Sequence, residues 1–109
     1  AESYLPLVGR WERTDSPYVI EIRGVGRDGK MEAAYFNPRP INVSRAMARS
    51  ESGELQVFVE LRDVNYPGAT YNLAYNRSQD ALQGTYFQPA LGQGFDVLFA
   101  RMTADGSAP

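Results

Sequence analysis

Apolar and polar residues alternate with period two along almost the whole chain, and turn residues interrupt the alternation every 8–12 positions. A helix that buries one face needs apolar residues every three or four positions, and such spacing is weak throughout. The pattern therefore predicts an all-β domain of short strands. Eight are expected, at 7–13, 17–24, 30–37, 41–50, 54–63, 70–77, 81–88 and 94–102. Asp28-Gly29 is suited to a two-residue hairpin, Ser52-Gly53 marks another turn, and Tyr66-Pro67-Gly68 suits a type II turn. These links are too short for crossover helices, so neighbouring strands should run antiparallel.

Alternation also assigns faces. Trp11, Ile20, Ile22, Tyr35, Val57, Val59, Tyr71, Leu82, Phe95, Val97 and Phe99 share one side; Glu21, Arg23, Glu60, Arg62, Asn72, Gln83 and Asp96 share the other. A sheet with one apolar face must pack on a second sheet or close on itself. Sequential strands with hairpin links favour closure, as an eight-stranded antiparallel up-and-down barrel. One domain is expected over 1–103, with a flexible tail at 104–109. The segments 28–38 (DGKMEAAYFNP) and 80–89 (DALQGTYFQP) echo each other, with Tyr35 and Tyr86 offset by 51 residues, which suggests two halves related by a pseudo-twofold.

Composition bounds the chemistry. The 109 residues include no Cys and no His, which excludes Ser-His-Asp and Cys nucleophiles, disulfides, and zinc or haem sites built on those ligands. No oxygen-only metal loop of the Asp-x-Asp-x-Asp-Gly kind occurs, so neither a metal nor a cofactor is expected. Eleven basic and thirteen acidic residues are spread along the chain, unlike the concentrated basic face of a nucleic-acid binder. No apolar run approaches the ~20 residues of a spanning helix, so no membrane partner is expected. The start, AESYLP, fits either a mature end left by signal cleavage or a trimmed one. Lack of Cys fits a bacterial cytosol or periplasm; the compartment stays open, with a lean to periplasm or secretion.

Gly9-Arg10-Trp11 on the first strand and Arg101 at the end of the last resemble the calycin signature, a Gly-x-Trp whose indole packs under a basic residue of the final strand. The short strands are most similar to the avidin/streptavidin-like family, and GRWERTDSPYVIEIRGVGRDGKMEAAYFN tracks its first three strands. The resemblance implies a small-molecule site in the barrel mouth, with Tyr35 and Asn37 at the positions of that family's ureido contacts. It lacks the several tryptophans of the biotin site, since Trp11 is the only one, and Arg13 stands where the family carries a small polar residue.

An up-and-down meander gathers alternate loops at one end. Here that end collects Pro17, Pro38, Pro40, Pro67 and Pro89, and proline lowers the entropy lost when a loop is ordered. The inward positions nearest it are Arg13, Tyr18, Tyr35, Asn37, Tyr71, Tyr86 and Gln88, with Asp15, Arg39 and Asp63 on the rim. This set suits a small amphipathic or anionic ligand, Arg13 holding charge and the tyrosines supplying area and hydroxyls. Tyrosines that simply plug the barrel, with Arg13 paired to Asp15 or Asp63, would explain the same residues. A cavity of about 300 Å³ or more beneath Arg13 and Tyr35 distinguishes the two.

The leading expectation is a non-catalytic binding barrel. The alternative is a protein-interaction or protease-inhibitor-like module using the rim loops. An enzyme is disfavoured because the inward series holds no Asp or Glu to move protons. On the outer face Val19, Phe36, Phe87 and Leu98 interrupt polar positions, predicting a homodimer or higher assembly through that side.

Overall fold

A computed structural model describes residues 4–64 and 66–102. A short 3₁₀ turn, Leu5–Leu7, leads into nine strands: β1 (Gly9–Arg13), β2 (Val19–Val25), β3 (Met31–Phe36), β4 (Pro40–Ile41), β5 (Val43–Glu51), β6 (Glu54–Asp63), β7 (Tyr66–Asn76), β8 (Ala81–Gln88) and β9 (Gln93–Arg101). They form one antiparallel sheet in the order β4-β3-β2-β1-β9-β8-β7-β6-β5. The sheet curls into a nearly closed barrel. Its two edges meet where Lys30 bridges Met47 and the Ala48 amide donates to the Gly29 carbonyl at 2.7 Å. The expected tail at 104–109 lies outside the described residues.

The described residues form nine strands rather than eight because the segment expected as one strand over 41–50 divides at Asn42. β4 pairs with β3, whereas β5 pairs with β6, so the chain changes partner between them. Asn42 makes the crossing. Its amide donates to Asp63 Oδ2 at 2.8 Å, its Nδ2 to the Arg62 carbonyl at 3.0 Å, and its own carbonyl accepts the Arg62 amide at 3.1 Å. A bulge between Val43 and Arg45 follows and turns Ala48 inward, leaving Arg45 and Arg49 exposed.

The interior is what alternation predicts. Trp11, Ile20, Ile22, Val59, Leu61, Tyr71, Leu82 and Phe99 are fully buried, and no polar or charged residue among those described is buried. Phe95 departs from its expected inward place. It is 43% exposed, because it lies near the mouth end of β9, beyond the packed layers. Tyr66-Pro67-Gly68 is not a free turn either. These residues open β7, where a bulge opposite Arg62, with Gly68 at φ 88°, absorbs the irregularity.

At the end opposite the mouth, the last strand locks onto the first. The Arg101 guanidinium lies 4.3 Å from the centre of the Trp11 ring, a cation–π contact. Its Nη1 donates to the Val8 carbonyl at 2.7 Å, its Nη2 to the Pro6 carbonyl, and its Nε to Asp80 Oδ2 at 2.7 Å. A Cβ at Gly9 would stand 2.5 Å from Arg101 Nη1, and φ there is 144°, so only glycine leaves the guanidinium its seat. Asp80 titrates below the usual carboxylate range because Arg101 hydrogen-bonds it.

The outer apolar positions are less open than their pattern predicts. Val19 is 8% exposed, Phe36 and Leu98 are half-buried, and the Arg10 guanidinium lies 5.7 Å from the Phe36 ring centre. Of the four, only Phe87, at 40%, is substantially exposed.

Candidate functional site

The mouth is formed where β1 ends at Arg13, β3 turns through Asn37 into β4, β7 begins at Tyr66, and β8 ends at Gln88. It encloses an open chamber of about 450 Å³. Arg13, Tyr18, Tyr35, Asn37, Tyr86 and Gln88 all line it, as the sequence predicts. Tyr71 does not. It is fully buried behind Tyr35 and Tyr86, with ring centres 5.6 and 4.5 Å away. Four further lining residues, Ser16, Ile41, Tyr66 and Phe95, were not among the predicted site residues, and Arg39 joins them from the rim. Tyr66 escapes a sequence reading because Pro-Gly signals a turn, while the bulge keeps Tyr66 in the strand. Its hydroxyl accepts a hydrogen bond from Asn37 Nδ2.

Arg13 organises the floor. Nε and Nη2 each reach an Asp15 carboxylate oxygen at 2.9 Å, a bidentate pair, while Nη1 donates to the Tyr71 hydroxyl at 3.1 Å. Its guanidinium carbon also sits 5.1 Å from the Tyr18 ring centre and 5.8 Å from that of Tyr86. Burial works against the Arg13 charge, but the bonds to Asp15 and Tyr71 outweigh it and hold the guanidinium charged. Asp15 is drawn below the usual carboxylate range chiefly by its hydrogen bonds from Arg13. The pair is formally neutral, so the floor offers hydrogen bonds more than net charge.

The phenols beneath the chamber leave one proton over. The Tyr35 and Tyr71 hydroxyls lie 2.8 Å apart, and Arg13 can only donate. Two hydroxyl protons therefore have one phenol–phenol bond to fill, and no other acceptor meets either hydroxyl among the described residues. Both phenols are buried, Tyr71 at 0% and Tyr35 at 1% exposure, so either direction of the bond leaves a proton in a buried place unless a ligand accepts it. Of the two, only Tyr35 lines the chamber, so a chamber ligand is served when Tyr71 donates to Tyr35. The remaining proton then sits on Tyr35, which lines the chamber.

Burial pushes both phenols up: Tyr35 far above the ordinary tyrosine range, with Tyr71 adding to the rise, and Tyr71 to about 12, because its hydrogen bonding with Tyr35 and Arg13 offsets part of its burial. A native pKa above the unfolded value near 10 means that stability is fully present below pH 10. It is lost as pH climbs, because the unfolded chain releases protons that the native state keeps. Unfolding free energy should therefore fall above about pH 10, by about 1.4 kcal/mol per pH unit for each such tyrosine. Urea unfolding between pH 8 and about pH 12 measures the slope, and Tyr35→Phe should make it shallower. A flat profile, or an unchanged slope in the variant, would contradict this arrangement.

A larger depression, about 610 Å³, lies against the outside of β5 to β8 near Met47, Phe58, Asn72 and Gln83. It is a concavity of the sheet's outer face. Among the described residues no group of three or more carboxylates could hold a metal ion, and no helix is long and apolar enough to cross a membrane. Comparison with family models, curated proteins and solved structures returns no match.

Proposed function

We propose that this is a non-catalytic, calycin-like binding barrel, closest in plan to the avidin/streptavidin-like type, that holds a small amphipathic molecule in its proline-bearing mouth. One observation carries the reading: an open chamber of about 450 Å³ stands above a buried Arg13–Tyr71–Tyr35 relay with one hydroxyl proton to give. A site of this size with a few convergent polar groups among aromatic walls suits a small ligand. The ligand should present a neutral acceptor, such as an amide or other carbonyl oxygen, to Tyr35. Asp15 already pairs with Arg13, so Tyr35, rather than that guanidinium, is left to meet the acceptor.

Binding fits better than catalysis. The chamber is lined by no carboxylate among the described residues, and Tyr35 is held protonated near neutral pH, a donor and not a base. A rim-loop interaction module remains the second reading, favoured by Val64 and Leu91, which are 70% and 62% exposed on loops at the mouth end.

The test is Tyr35→Phe. Removing one donor to a carbonyl should weaken binding of N-methylacetamide about fivefold to tenfold, read from amide shifts of Asn37 and Tyr66 in a nuclear magnetic resonance titration. Equal affinity in both proteins would sink the role given to the relay.

A further inference from the structure

A second cavity of about 200 Å³ adjoins the mouth. It lies between the Pro67–Ala69 segment of β7 and the loop Pro89–Leu91, and it shares Tyr86 and Gln88 with the main chamber. The register explains its place. Thr70 pairs with Phe87, so Ala69 and Gln88 fall one step further toward the mouth, where the Gly68 bulge and the small Ala69 side chain leave space. Proline at 67 and 89 stiffens both sides.

The two compartments differ in chemistry. The main chamber carries Arg13, Asn37, Arg39 and four phenols. The side cavity has only apolar side chains beyond the shared pair. The two shared residues are joined by one long hydrogen bond, Gln88 Nε2 to the Tyr86 hydroxyl at 3.4 Å, weak enough to yield at little cost. A polar group in the side cavity would lose hydration without a side-chain replacement. An alkyl group there would instead cover Leu91, which is otherwise largely exposed.

The geometry points to a two-part ligand: a polar head with its acceptor on Tyr35, and a short alkyl arm that passes Gln88 into the side cavity. This rests on the mouth being a ligand site, and it adds the class of molecule. Affinity should then grow with arm length until the cavity is full.

N-methyl-, N-propyl- and N-hexylacetamide separate the two statements. In titrations of the wild-type protein, all three should shift the amides of Asn37 and Tyr66. The propyl compound should bind about fourfold tighter per added methylene than the methyl compound. The amides of Ala90 and Leu91 should move only with the longer arms. Ala90→Phe, a change on an exposed loop that fills the side cavity, should return the hexyl compound to near the affinity of the methyl compound. Mouth shifts with no gain from arm length would overturn the two-part ligand alone. No shift at Asn37 or Tyr66 with any compound would overturn it together with the reading of the mouth.

Discussion

Arg101→Met should lower the unfolding free energy by about 3 kcal/mol, the largest loss expected from any single side chain outside the apolar core. Met fills much of the same volume over the Trp11 ring but donates nothing. The Pro6 and Val8 carbonyls would lose their partner, Asp80 would lose the pairing cation, and the cation–π contact would vanish. Asp80→Asn should cost much less, because Arg101 keeps its two carbonyl acceptors and its ring. Equilibrium urea unfolding of the two variants beside the wild type is the measurement. Equal losses in both would mean that the ion pair, and not the whole arginine network, closes this end.

Gly29→Ala should cost a comparable amount, also about 3 kcal/mol, by a different route. Gly29 sits at φ 86°, where a side chain is strained, and a Cβ would stand 2.1 Å from the Ala48 carbonyl oxygen. That oxygen belongs to backbone and cannot swing away. Gly29 also accepts the Ala48 amide at the seam where the sheet edges meet. The substitution should therefore open the seam, speeding hydrogen exchange at the Ala48 amide well beyond that at Val97, in the middle of the sheet. Gly53→Ala is the natural control: it shares a positive φ of 80°, yet a Cβ there meets nothing, so it should lose only the strain component. Equal destabilisation by both changes would show that the seam contributes no more than an ordinary turn.

Much of this architecture was legible in the chain because its causes are local. Period-two alternation placed the strands to within a few residues and put Trp11, Val59 and Phe99 inside, since side chains on a strand can only alternate. Short links made the meander, and the meander gathered the prolines at one end. The parity that carries Arg101 inward also set it over Trp11.

What stayed hidden depends on partners far along the chain. The break at Asn42 exists because Arg62 and Asp63 capture it, about twenty residues away. Tyr66-Pro67-Gly68 signals a turn because Pro-Gly chemistry is local, whereas the bulge that keeps Tyr66 in β7 is set by pairing with β6. The Arg13–Tyr71 bond joins residues 58 positions apart, and only barrel registration brings them together. Tyr71, an expected site residue, lies behind Tyr35 and does not line the chamber, because its strand position sets it one layer deeper.

The role proposed for the mouth is to hold a small molecule. Native mass spectrometry of the protein purified from its own source tests it most directly, because it reads retained ligand mass and subunit count in one spectrum. The expected result is a subset of ions carrying one small neutral mass per chain, and Tyr35→Phe should lose it at lower collision energy than the wild type. Bare chains throughout, with a protein partner retained instead, would contradict the claim and hand the mouth to the rim-loop reading.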